Sequence, residues 1–131
     1  MAKYQGKLST YELTTDTINK IFHAEASGFF SVEDGQAFLK DYDQATKSLP
    51  ADTYTLIIDA PELKPSSPEV AALLGMLLQK YMDVPFKARY LVTKGSVITL
   101  QQFKRVGKDI PGWTESVQYV ENYEDALNAS K

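Results

Sequence analysis

Residues 56–82 read LIIDAPELKPSSPEVAALLGMLLQKYM, and the fold follows from how this stretch divides. Its start belongs to a short segment, TYTLIIDA (53–60), that is nearly all apolar after Tyr54. Such a strand is buried on both faces, as in the middle of a parallel sheet. Ser67 and Pro68 then give a helix start, a hydroxyl N-cap followed by proline at the first helical position. The helix is expected to run to about Met82, where Asp83–Val84–Pro85 ends it. The loop Ala60–Pro68 lies between the two, at a strand's carboxyl end, where open α/β sheets take ligands.

The flanking segments extend the same alternation. Residues 8–16 and 18–26 alternate as strands, with turn chemistry in Thr14–Thr17 between them, so a β-hairpin is expected. Ile18, Phe22, Ala24 and Ala26 can share one face of the second strand, with His23 and Glu25 on the other, and Gly28 closes the unit. Ser31 caps a helix that carries Glu33 and Asp34 in its first turn and Phe38, Leu39, Tyr42 and Ala45 at helical spacing. Pro50 stops it. After the central helix come a strand in 87–95, a helix from Ser96 with Leu100, Phe103, Val106 and Ile110 on one stripe, a strand at 116–121 and a last helix capped by Asn122. The order ββαβαβαβα predicts one α/β domain over 1–131 with residues 1–6 as a flexible tail. Its sheet is mostly parallel with one antiparallel strand, and helices pack on it.

Composition bounds the function. The chain has 131 residues, net charge −3 and no cysteine, which excludes disulfides, thiol catalysis and cysteine-held metal. No signal peptide is expected in MAKYQGKLST, and the longest apolar run, Val70–Leu78, is far short of a membrane span. A cytoplasmic protein without stable membrane insertion is the expectation. Acids dominate Glu12–Glu62, ten against three lysines. From Phe86 to Lys108 there are six bases and no acid. That asymmetry could orient an acidic partner or simply keep a surface soluble. The aromatic interleaving of nucleic-acid binders is missing, so no nucleic-acid partner is expected.

Few residues carry chemistry. His23 is the one histidine, with Glu25 on the same strand face; a lone histidine and scattered carboxylates are weak support for catalysis or a metal, and neither a metal nor another cofactor is expected. No phosphate-cradling or nucleophile-elbow motif occurs. Asp59 and Glu62 stand near each other at the strand end. The corner Ser66–Ser67–Pro68 sits at a helix N-terminus, which favours an anion, so phosphorylation of Ser66 or Ser67 could act there as a switch. Ser67 as a plain cap is the simpler alternative. The helix behind it is apolar around much of its circumference, so it is either deeply buried or a binding face, and Gly75 within it could permit a close approach.

A hydrophobic strand ending in Asp (LIID), a loop, serines and an apolar helix together resemble the STAS domain, most closely its SpoIIAA-like branch. The resemblance implies a four- or five-stranded sheet with helices on one side, and function by protein–protein contact. In the family's anti-sigma-factor antagonists a serine at the start of this helix is phosphorylated. By position Asp59 matches the strand-end aspartate, and Ser66 and Ser67 fall near that serine. KPSSPEV departs from the antagonist motif Asp-Ser-x-Gly, which puts the switch itself in question.

The expected function is therefore a non-enzymatic regulatory module with an unidentified protein partner. Its docking loop would include Asp59, Glu62, Lys64 and Pro68, and the Val70–Tyr81 helix could form a homodimer. The alternative is a domain for a small apolar ligand or lipid, related to CRAL-TRIO-type folds, with Leu73, Leu74, Leu77, Leu78 and Phe103 lining the pocket. An enzyme using Asp59, Glu62 and His23 ranks last.

Overall fold

Strand β4 (Thr55–Pro65) is the axis of the molecule. It pairs in parallel with β3 (Ile21–Phe30) on one side and with β5 (Ala88–Val92) on the other. The structure is a computed structural model that describes residues 2–6, 9–65 and 68–130, with backbone alone for residue 2 and residues 61–65. Successive side chains of a strand point to opposite faces. Leu56, Ile58 and Ala60 accordingly enter the main core, whereas Ile57 enters a second, smaller one.

Among the described residues the sheet has six strands in sequence order, β1 (Ala2–Gln5), β2 (Ser9–Asp16), β3, β4, β5 and β6 (Val117–Val120). Both β1–β2 and β2–β3 pair antiparallel and the remaining pairs are parallel. Only β2 thus runs against the others, as expected of one strand. Residues 2–5 are not the expected tail. They form an edge strand in which Tyr4 stacks on Tyr11 at 4.7 Å between ring centroids.

The hairpin turn falls at Thr17–Lys20, later than the Thr14–Thr17 predicted. The Asp16 carboxylate decides this, accepting hydrogen bonds from the backbone N–H of Ile18 and Asn19 at 3.0 Å each. Ile18 is consequently 90% exposed at the turn instead of facing the core, and Ile21 fills the second core. Gly28, at φ 92°, does not end β3, which continues to Phe30 beside the extended β4.

Helices α1 (Val32–Thr46), α2 (Pro68–Asp83), α3 (Val97–Gly107) and the short α4 (Trp113–Ser116) contribute to the main core. The family resemblance implied four or five strands with helices on one side; the sheet described has six. Moreover, α5 (Tyr123–Ala129) buries Ala126 in the second core, over β4 and β5, on the opposite face. The neighbouring part of that face, over β1–β3, carries the polar residues of the hairpin. The buried face of α3 is Thr99, Gln102, Phe103 and Gly107. The predicted Leu100, Val106 and Ile110 lie half-buried at its flank.

Two polar devices tie the elements together. In α1 the capping box is complete, with Ser31 and Asp34 satisfying each other's backbone N–H groups. Asp34 also accepts from Tyr4 Oη at 2.6 Å and Ser9 Oγ at 2.8 Å, which joins β1 and β2 to α1. Burial opposes ionisation of Asp34, yet the Ser31 backbone N–H and the Tyr4 and Ser9 hydroxyls more than offset it and hold its carboxyl below its usual value. At the other end of the fold, the Arg89 guanidinium donates to the carbonyls of Tyr81 at 2.8 Å, Met82 at 3.3 Å and Val84 at 2.8 Å. It thereby caps the C-terminus of α2 with positive charge.

Two helical glycines, half-buried Gly75 and buried Gly107, behave differently. A Cβ on Gly75 would meet Val106 at an ordinary 3.8 Å, so no close approach requires glycine there. A Cβ on Gly107 would run into the Trp113 indole. Gly75→Ala should therefore stabilise the protein by about 0.5–1 kcal/mol through helix propensity, whereas Gly107→Ala should destabilise it by about 1–3 kcal/mol through overpacking. Urea denaturation of both variants checks the opposite signs. Asp34→Asn should cost about 1–3 kcal/mol at neutral pH. Because the folded carboxyl titrates below the unfolded one, this stabilisation is present above the usual carboxylate range and is lost as pH falls through the folded value. The gap between variant and wild type, measured by denaturation at pH 7 and pH 3, should narrow at the lower pH.

Candidate functional site

The sequence reading pointed to the strand-to-helix corner, and the structure changes its shape. Residues 60–65, expected as loop, continue β4. They pair with β3 through Ser27↔Glu62, Gly28↔Leu63, Phe29↔Lys64 and Phe30↔Pro65. The register shifts between Glu25↔Asp59 and Ser27↔Glu62, so β4 holds one extra residue there. Pro61 falls within this bulge, a place where a sheet tolerates a residue without an N–H. The candidate docking residues Glu62 and Lys64 are thus strand positions, and α2 begins at Pro68 as expected. The candidate switch residues Ser66 and Ser67 lie outside the described residues.

On α2, Val70, Leu74, Leu78 and Tyr81 are buried, and Leu73 and Leu77 are half-buried. The helix is therefore mainly a core element, with Ala72 and Met76 on its exposed side. Leu73, Leu74, Leu77 and Phe103 do line a common apolar cavity with the Ala24 and Ile58 side of the sheet. Its volume is about 40 Å³. Leu78 is fully buried but does not line it. Ligand pockets run to roughly 300–1,000 Å³, so the cavity as it stands is far too small for a lipid.

The carboxyl edge of the sheet also carries exposed apolar side chains. Phe29 is 49% exposed near the end of β3. Val97 at 67% and Ile98 at 75% occupy the first turn of α3, which follows the carboxyl end of β5. Neither Val97 nor Ile98 was singled out from the sequence, because the helical stripe there was drawn from Leu100 onward. The basic run 87–108 does not act as one surface: Arg89 is buried under α2, and Lys104 lies over the Tyr119 ring at 5.6 Å.

A second group of polar residues stands on the opposite face of the sheet. The β3–β4 register places Glu25 beside Asp59, with His23 one pleat away on the same face. His23 Nε2 lies 3.6 Å from Asp59 Oδ2, and the side chains are 20% and 10% exposed. One donor atom from each of His23, Glu25 and Asp59 lies within 4.8 Å of the others. The Tyr123 ring of α5 covers the imidazole at 4.7 Å between centroids. His23 and Glu25 were paired from the sequence, while Asp59 was assigned to the loop corner. The strand pairing that unites them sets Asp59 beside Glu25, 34 positions away in the chain, and leaves no local signal.

No protein-family model matches the chain, and no curated protein matches it. Among solved structures, an uncharacterised protein of the DUF3478 family with a SpoIIAA-like fold, from Shewanella loihica PV-4, is similar. The TM-score is 0.68 at 17% sequence identity, covering 100% of this chain and 99% of that one. At this identity the likeness is one of fold. The chain has the SpoIIAA-like α/β fold that its sequence resembles. No helix among the described residues is long and apolar enough to cross a membrane.

The cavity volume makes one expectation concrete. Native mass spectrometry of freshly purified protein should give the mass of the bare chain. A co-purifying lipid would instead require α1 and α2 to part from the sheet.

Proposed function

We propose that the protein is a non-enzymatic regulatory module that binds a protein partner at the carboxyl edge of its sheet. The observation that carries this reading is the exposure of Val97 and Ile98 in the first turn of α3. Large aliphatic side chains left in water at the ligand-binding edge of an α/β sheet are the kind of surface a partner covers. The SpoIIAA-like fold supports the reading at the level of architecture. Both α2 and α3 start beyond the carboxyl ends of parallel strands, α2 after β4, which runs six residues past its last pair with β5, and α3 after β5. A phosphoryl group on Ser66 or Ser67 would meet the free N–H groups and positive dipole end of that 16-residue helix, which is how a switch would reach the docking edge. Self-association through α2 is less favoured, since its apolar stripe already faces the protein's own core. A small apolar ligand is the second reading, carried by the cavity at Leu73, Leu74, Leu77 and Phe103 and limited by its volume to a molecule of a few heavy atoms.

The test is a pull-down from the native cell extract with the wild type, a Val97→Asp/Ile98→Asp double variant, and separate Ser66→Asp and Ser67→Asp variants, each with its melting temperature. A partner retained by the wild type and lost by the equally stable double variant is the expected result. Equal retention by both overturns the docking edge. Identical retention by the wild type and both serine variants removes the switch while leaving the docking edge intact.

A further inference from the structure

Four ladder neighbours cross the open face of the sheet in one row, Lys3, Glu12, Glu25 and Asp59, through the pairs Lys3↔Glu12, Glu12↔Glu25 and Glu25↔Asp59. Three adjacent carboxylates are a repulsive arrangement, since like charges directly opposite on neighbouring strands destabilise a sheet. Lys3 offsets it at one end, with Nζ 3.2 Å from Glu12. Among the described residues neither Glu25 nor Asp59 has a lysine or arginine partner. The repulsion is therefore left standing at the end of the row where burial makes it most costly, because Asp59 is buried.

The imidazole of His23 points into that same end. Its Nε2 is shut off from solvent and has no hydrogen-bond partner among the described residues. The 3.6 Å separation from Asp59 Oδ2 is longer than a hydrogen bond. It is close to the spacing of two ligands on one ion: donors held about 2.1 Å from a tetrahedral metal stand roughly 3.4 Å apart. A buried ring nitrogen, a nine-tenths buried carboxylate and an exposed carboxylate thus converge within 4.8 Å, and among the described residues the nitrogen has no hydrogen-bond partner.

We propose that His23, Asp59 and Glu25 form a binding site for a divalent transition-metal ion of the zinc type, which goes beyond the partner-docking edge proposed above. One imidazole nitrogen and two carboxylates suit borderline ions such as Zn²⁺ or Co²⁺, whereas an all-oxygen set would suit Mg²⁺. His23 and Asp59 come from adjacent central strands and are held by the sheet, so these two ligands are pre-positioned. Glu25 is exposed and free to close the short remaining distance. Three protein ligands leave a fourth position for water or for a donor from another molecule. The bound ion would neutralise the Glu12–Glu25–Asp59 row, so ion binding should also raise the melting temperature.

His23 is the chain's one histidine, which makes the test direct. Tag-free protein is titrated with ZnCl₂ and, separately, with MgCl₂, while the imidazole resonances are followed by NMR. Zn²⁺ should shift the His23 ring resonances to completion at one equivalent, and Mg²⁺ should leave them in place. Calorimetric titration should show affinity for Zn²⁺ falling about tenfold or more in His23→Gln and in Asp59→Asn. Glu12→Gln, outside the ligand set, should bind as the wild type does. Imidazole resonances unmoved by Zn²⁺ in the wild type overturn the site whatever the variants do. Equal affinity in wild type, His23→Gln and Asp59→Asn overturns it as well, and an equal response to Mg²⁺ overturns the choice of ion.

Discussion

The parallel pairing of β3 with β4 is the constraint on which the remaining structure depends. It joins an antiparallel hairpin to a parallel α/β half, and nine residue pairs fix its register from Ile21↔Thr55 to Phe30↔Pro65. A slip of one residue would exchange the two faces of β4. Leu56, Ile58 and Ala60 would then leave the main core, and Ile57 would leave the second. With apolar side chains buried on both faces, the slip has no low-energy alternative. The same register sets Glu25 beside Asp59, so the polar cluster on the open face is a by-product of how the core is aligned.

Around that pairing, burial and polar satisfaction divide the work. The main core is rich in aromatic edge contacts, such as Phe22 on Tyr42 at 5.9 Å and Tyr42 on Tyr81 at 5.1 Å, which lock α1 and α2 together over the sheet. Burial drives the phenols of Tyr42 and Tyr81 well above their ordinary value, so both stay neutral. The ends of the elements are held by charge-assisted hydrogen bonds, Asp34 at the start of α1 and Arg89 at the end of α2. Each satisfies backbone groups that a helix terminus leaves open. Asp34, on α1, also bonds Tyr4 and Ser9 of β1 and β2, and Arg89 stands on β5, so each fastens a helix to a strand.

Local chemistry was legible where it acts over three or four residues. Ser31 and Asn122 cap their helices as read, Pro68 opens α2, and the alternation of β3 correctly puts Phe22, Ala24 and Ala26 inward. The errors arose where a distant strand overrode local punctuation. Pro61 and Pro65 suggested a loop, yet β3 supplies a partner that carries the strand through a bulge. Residues 2–5 lack the length to declare themselves a strand, but β2 offers a free edge and Asp34 an acceptor for Tyr4. Arg89 read as one of six surface bases until the chain turned its guanidinium under α2.

By itself the sequence determined the alternating α/β order, the main helix boundaries and the apolar character of the central strand, because periodicity, caps and breakers act within a single element. Only the tertiary structure decided which side chains meet. The cavity at Leu73, Leu74, Leu77 and Phe103 came out small because α2 settles closely on the sheet. Val97 and Ile98 came out exposed because α3 turns Thr99, Gln102, Phe103 and Gly107 to the core instead. The union of His23 with Asp59 required two strands to align across 36 positions of chain, from residue 23 to residue 59. Strand register is set by the burial of every residue along the pair at once, and no short stretch of sequence contains that sum.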